Sequence, residues 1–336
     1  MKGEVFGTLP SGENIYKYVC KNKTASISVI NFGAILQDFS VFGKSIVAGF
    51  DSLDSYLSDD SHQGGVIGRV ANRIKNASFN MDGKEYKLTK NDGENCLHGG
   101  VGFDRRVWSL VLYTNEKIVL EYTSKDGEEG FPSAVKVTAA YTLLDSGFAI
   151  EYTAVPSGKT PISMTHHAYF NLDGLGGSID NHRVQIFADT YSEVDKSLIP
   201  TGARPEVTGT VFDLREPALI SDRLSESFLG YDHNFNLSPR KCKIILGKSV
   251  PLAAKVENAD TVLSVYTDRP ALQLYTGNFL GCGPDFRGGV RQVYHGAMCL
   301  EAQTEPNTVE KGKCFYENGE KYTSFTAYTV KKSKKH

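Results

Sequence analysis

The chain has 336 residues, 40% hydrophobic and 23% charged, a composition typical of a soluble globular protein with a sizeable core. Its 37 basic and 39 acidic residues leave a formal charge of −2, too weak a field to hold nucleic acid or an anionic membrane. No apolar run is long enough for a membrane span, and residues 1–10 contain no apolar core of a secretory signal.

In chain order, the first predicted element is a short helix over 52–57. Asp82-Gly83, between Phe79/Met81 and Tyr86/Leu88, predicts a hairpin with a primed turn. The pattern then has period two. Ile118, Leu120 and Tyr122 alternate with Val119, Glu121 and Thr123. Val135, Val137, Ala139, Tyr141 and Leu143 alternate with smaller or polar neighbours, and Phe148, Ile150 and Tyr152 repeat the pattern. A second short helix is predicted over 222–228. Asn318-Gly319 predicts another hairpin, between Phe315/Tyr316 and Tyr322, and 323–330 is rich in strand formers. The chain closes on a lysine run, Lys331, Lys332, Lys334 and Lys335, which reads as a solvated end. With 33 glycines and 12 prolines spread along the chain, and no linker or repeat, the expected fold is all-β. It is one large antiparallel sandwich or barrel over 1–336 with few short helices.

Several motifs fail on inspection. Gly-Lys-Ser/Thr occurs at Gly43, Gly158 and Gly247, but the glycine a phosphate loop needs five residues earlier is Asp38, Thr153 and Cys242. The six cysteines form no C-x-x-C pair, which argues for reduced thiols in a cytosol-like compartment. His62, His182 and His295 lack metal-ligand spacing and are expected as surface polar residues.

The stretch S-M-T-H-H-A-Y-F-N-L (163–172) carries the strongest chemical signal. Histidine moves its proton most readily near neutral pH. Neighbours on a strand point to opposite faces, so one of His166 and His167 is expected to be chemical and the other structural. Four other places look chemical. Arg69, Asn72 and Arg73 cluster in G-R-V-A-N-R, and His98 sits on a flexible corner in L-H-G-G. Asp232 lies in Y-D-H-N-F. Glu301 interrupts the apolar strand M-C-L-E-A-Q, where a carboxylate is costly to bury unless paired or used, and Gln303 shares its face. Each signal alone is weak: an arginine is often a surface fork, an aspartate a turn cap, a glutamate an edge residue. Together a carboxylate, an imidazole and several hydroxyl-binding groups are the parts for moving protons on a polyhydroxylated substrate.

On these residues the chain resembles the aldose 1-epimerase (galactose mutarotase) family. The matching pieces are G-V-I-G-R-V-A-N-R-I (65–74), L-H-G-G (97–100), H-H-A-Y-F-N-L (166–172), S-L-I-P-T-G (197–202), Y-D-H-N-F (231–235), L-Y-T-G-N-F-L (274–280) and C-L-E-A-Q (299–303). They run in the family's order from about residue 7 to 330. The resemblance implies a β-supersandwich that interconverts the anomers of free hexoses such as glucose and galactose. It implies Glu301 as the base at the C1 hydroxyl, His167 as the acid at the ring oxygen, and His98 as a hydrogen-bonding partner of that centre. Asn72, Arg73, Asp232 and Gln303 would hold sugar hydroxyls. No metal or cofactor is implied; the partners expected are a small sugar, no nucleic acid and no membrane. The expected state is a cytoplasmic monomer or weak homodimer. The chain departs from the family pattern at His166, where Asn is usual, at Ala168, where Ser or Thr is usual, and at Thr304-Glu305, where an aromatic is common. These departures bear on sugar preference rather than on the reaction. Two alternatives remain at this level. A hexose-6-phosphate epimerase would need an arginine cluster, for which Arg69 and Arg73 are the candidates. A non-catalytic carbohydrate-binding sandwich would have no use for Glu301 and His167 together.

Overall fold

The structure is a computed structural model that describes residues 2–238 and 241–333. Alternating apolar residues produce long antiparallel ladders. Val135–Leu144 buries Val135, Val137, Ala139, Tyr141 and Leu143 on one face and pairs residue for residue with Gly147–Pro156. Among the described residues the largest sheet has ten strands. Its central order runs Lys117–Ser124, Val135–Leu144, Gly147–Pro156, Tyr322–Lys332, Thr261–Thr267 and Lys248–Glu257. The C-terminal strand Tyr322–Lys332 thus lies mid-sheet, pairing with both Gly147–Pro156 and Thr261–Thr267. Lys331 and Lys332 end that strand; Lys334 and Lys335 lie outside the described residues.

Two five-stranded sheets complete the sandwich. One is built from residues 4–45. The other, the site sheet, runs Tyr169–Phe170, Met298–Gln303, Ala271–Tyr275, Asp232–Leu237 and Ala188–Tyr191. A single apolar cluster joins all three sheets, with Ile27 and Phe39, Tyr141 and Phe148, and Leu272 and Leu300 as members. Alternation then decides what the site sheet offers outward. Met298, Leu300 and Ala302 enter that cluster, so Cys299, Glu301 and Gln303 take the other face. Leu272 and Leu274 point inward likewise, which sends Gln273 and Tyr275 outward beside Glu301 and Cys299.

Local expectations fare unevenly. The helix forms over Leu53–Ser58, capped by Ser52, whose hydroxyl accepts from the Ser55 amide. The hairpin Ser78–Met81 with Lys84–Lys87 turns at Asp82-Gly83, both at positive φ. The predicted helix over 222–228 shrinks to a single 3-10 turn, Ser221–Arg223. Asn318-Gly319 is a turn but joins no hairpin. Phe315–Tyr316 pairs instead with Thr160–Pro161, and Tyr322 starts the central strand, because the large sheet has more apolar surface to bury than a local pair.

Candidate active site

An open cavity lies on the outer face of the site sheet. Its walls include Asn72, Arg73, His98, His167, Asp232 and Glu301, which the sequence scatters over more than 200 positions. The adjacent histidines take opposite sides as expected, although only His166 lies in a strand. Thr165–His166 pairs with Val66–Ile67, and the His167 amide donates to the Gly65 carbonyl. His167 and Tyr169 therefore line the cavity, while Ala168 and Phe170 join the central cluster. His166 is buried on that inner side. The Tyr141 hydroxyl donates to the Ala34 carbonyl at 2.6 Å, so its oxygen accepts from His166 Nε2 at 3.2 Å. Burial lowers the His166 pKa from the ordinary 6.5 to about 3, so the ring stays neutral.

At the cavity floor, His167 Nε2 lies 3.6 Å from Glu301 Oε1, and His167 Nδ1 lies 3.4 Å from the Cys299 thiol. Burial, with His62 next, lowers the His167 pKa to about 3. Burial and the neighbouring Asp232 carboxylate push Glu301 well above the ordinary carboxyl range, against the pull of Arg73. Glu301 Oε2 has no hydrogen-bond partner among the described residues, so one buried acceptor is left for a ligand. From beneath, Thr165 Oγ1 donates to the Ala302 carbonyl and the Tyr328 hydroxyl to the Leu300 carbonyl, which fixes the strand carrying Glu301.

The opposite wall is built from loops. Arg73–Ile74 pairs with Cys96–Leu97, which brings Asn72 beside His98, both at positive φ. The Asn72 amide donates to His98 Nδ1 at 3.2 Å, and the His98 amide donates to the Asn72 carbonyl at 3.1 Å. A backbone N–H can only donate, so His98 Nδ1 is the acceptor and the neutral ring carries its proton on Nε2. Burial, then the charges of His62, His167 and Arg73, hold the His98 pKa well below its ordinary value. Arg73 Nε donates to Asp92 at 2.8 Å, and Arg73 Nη1 stands 3.9 Å from Asp232, whose other oxygen accepts from Gln273 at 2.7 Å. Both charged heads are thus held by their neighbours before any ligand arrives.

Two expected site residues lie elsewhere. Gln303 is fully buried and does not line the cavity; its amide contacts Asn234 at 3.4 Å. Asn234 donates to Ser192, Ser192 to Glu305, and Arg204 pairs with Glu305, so the unusual Glu305 is absorbed by an ion pair. Arg69 is also buried away from the cavity, clamping the Pro132 and Ser133 carbonyls and the Ser124 hydroxyl. That removes one of two arginines a phosphate group would need. His62, expected on the surface, lines the cavity, and His182 and His295 are buried. Tyr275 and the exposed Phe279 at the rim were also not singled out, although both stand in the L-Y-T-G-N-F-L motif.

His167, Cys299 and Glu301 place possible metal ligands within 4.8 Å of one another, the grouping of this kind found among the described residues. The chemistry of the set does not favour an ion. Burial raises the Cys299 pKa well above its ordinary value, so the sulfur is a thiol and a poor ligand. Cys299 and Glu301 also stand at different nitrogens of His167.

Residues 16–329 match the family described as aldose 1-epimerase. The galactose mutarotase of Sus scrofa is 41% identical over 318 residues, covering 91% of both chains. The aldose 1-epimerase of Escherichia coli is 34% identical, covering 98% of this chain and 99% of its own. The crystal structure of galactose 1-epimerase from Lactobacillus acidophilus superposes with a TM-score of 0.86 at 26% identity, over 98% of each chain. This chain therefore belongs to the aldose 1-epimerase family.

Proposed function

We propose that the protein is an isomerase that interconverts the α and β anomers of free aldohexoses such as galactose and glucose. The observation that carries this reading is the buried Glu301–His167 pair, 3.6 Å apart at the floor of a cavity walled by hydroxyl-binding groups. Glu301 takes the proton of the C1 hydroxyl as His167 delivers one to the ring oxygen, and the C1–O5 bond breaks to leave the open-chain aldehyde. The C1–C2 bond then turns, and reclosure from the other face returns both protons to their donors. The sugar ends as the other anomer with no net change in the protein.

Burial opposes the charged form of each partner, lowering the His167 pKa and raising that of Glu301. Arg73 favours the Glu301 carboxylate and so the ionised arrangement the reaction uses. His98 offers its Nε2–H to an oxygen of the same centre. Asn72, Arg73 and Asp232 bind ring hydroxyls, the last two through charge-assisted hydrogen bonds. Gln303 has no place in this set; it braces the floor through Asn234.

Polarimetry of freshly dissolved α-D-galactose or α-D-glucose tests the reading. Micromolar protein is expected to speed the approach to anomeric equilibrium, equally with and without a chelator. A rate equal to buffer, or one abolished by the chelator, would refute it. A clear preference for hexose 6-phosphates would support the phosphate alternative instead. We further infer that the chain acts as one domain in the cytoplasm, as a monomer or weak homodimer. Among the described residues no helix is long and apolar enough to cross a membrane. Sedimentation showing a stable higher oligomer would overturn the stated assembly.

A further inference from the structure

His62 occupies a position that none of its surface features explains. Its backbone sits at φ 57, a conformation that costs a non-glycine residue free energy unless the surroundings enforce it. Its Nδ1 lies 2.8 Å from Asp104 Oδ2, and Asp104 is only 2% exposed. Gly65 makes room for that carboxylate: a Cβ at Gly65 would stand 2.6 Å from the Asp104 Cβ. Burial opposes charge on Asp104, but His62 and Arg105 outweigh it and hold its pKa below the ordinary range, so the carboxylate is ionised. An ionised carboxylate only accepts, so His62 Nδ1 carries a proton, and a neutral His62 ring has no other. Its Nε2 is then a lone-pair acceptor, with no hydrogen-bond partner among the described residues.

The His62 ring lines the cavity and packs edge-on against His98, with centroids 4.7 Å apart, and it lies 5.9 Å from the His167 ring. The two neighbouring imidazoles are held in opposite tautomers by different devices. The Asn72 amide leaves His98 with a donor, and the Asp104 carboxylate leaves His62 with an acceptor. A sugar hydroxyl both gives and takes a hydrogen bond, and this wall presents one group of each kind.

We propose that His62 is a further substrate-contacting residue, its Nε2 accepting a hydrogen bond from a sugar hydroxyl beside the reacting centre. Asp104 is the positioning residue that sets the His62 tautomer. This proposal rests on the mutarotase reading and adds a specificity contact to it. The contact favours sugars with a hydroxyl at that place over deoxy analogues, because an acceptor cut off from water by the bound sugar and left unpaired is costly.

Three measurements test it. First, polarimetric kinetics on galactose are compared for the wild type, His62→Phe and His62→Gln. Losing one neutral hydrogen bond is expected to raise KM about 3- to 10-fold in His62→Phe with kcat little changed, and Gln, which restores an acceptor, recovers part of it. Second, Asp104→Asn is expected to raise KM similarly, yet to add nothing when His62 is already Phe. Third, nitrogen NMR of the histidine rings is expected to show His62 protonated on Nδ1 in the free protein, with Nε2 shifting when galactose is added. A wild type that fails to accelerate mutarotation removes the functional reading itself. With that rate present, an unchanged KM in a folded His62→Phe or an Nε2 signal unmoved by saturating galactose overturns the contact. Additive effects of the two substitutions overturn the role of Asp104.

Discussion

Glu301 Oε1 stands 3.6 Å from His167 Nε2, and the two side chains are 3% and 7% exposed. That separation is too long for a direct hydrogen bond and short enough for both groups to reach adjacent oxygens of one small ligand. Neither group is neutralised by a tight partner, so both stay available for proton transfer.

Glu301→Gln preserves shape and removes the proton acceptor. Turnover is expected to fall by about 10²–10⁴. Melting temperature should hold or rise, because a buried acceptor without a partner is replaced by a neutral amide. Polarimetry and thermal melting read the two effects separately. A kcat within a few-fold of the parent would move the base to another residue, Asp232 first.

His167→Asn and His166→Asn should differ in kind. The first removes the group facing Glu301, so kcat is expected to collapse while melting stays near normal. The second breaks the bond to Tyr141 and leaves a small gap, costing about 1–3 kcal/mol of stability while most activity survives. A folded, inactive His166→Asn beside an active His167→Asn would reverse the assignment.

Arg73→Ala and Asp232→Ala are expected to raise KM for galactose by roughly tenfold or more, since each loses charge-assisted hydrogen bonds. Because Arg73 also favours the Glu301 carboxylate, its loss should lower kcat further than the loss of Asp232 does. Steady-state kinetics on both variants decide this. Unchanged constants for either one would make that residue a brace for its neighbour.

Acid should unfold the protein through its buried imidazoles. An unfolded histidine binds a proton near 6.5, whereas burial lowers His166 and His167 to about 3. Between those values the unfolded chain holds more protons. Their contribution to stability is therefore complete above about pH 6.5 and is lost progressively as the pH falls toward 3, while the raised Glu301 works the other way. Melting curves from pH 7 to pH 4 should show the decline, with a shallower slope in His166→Asn. Equal slopes for the two proteins would assign the acid sensitivity to other groups.

The ladders were legible because period two survives wherever one strand face is buried, as in Val135–Leu144. The partner of Phe315–Tyr316 was not, since a local turn signal says nothing about a distant strand that competes for pairing. Glu301 and His167 were legible because a carboxylate in an apolar strand and a pair of adjacent imidazoles are each locally anomalous. Gln303 was misplaced because sharing a face does not mean reaching the same hollow; it lies two residues beyond Glu301, under Asn234. His62 was unreadable because its meaning depends on Asp104, 42 positions later.

The cavity draws its two working halves from different kinds of backbone. Glu301 stands on a ladder pinned to the central core, with the Tyr328 and Thr165 hydroxyls bracing its strand, and His167 follows directly on the short strand Thr165–His166. Asn72, Arg73 and His98 hang from short irregular segments that precede these strands in the chain. Such segments accept substitution far more readily than a mid-sheet strand does. Sugar preference can therefore drift by changes in the loops while the reaction itself stays fixed, and an engineer seeking a new aldose would begin at residues 60–104 and leave 298–303 alone.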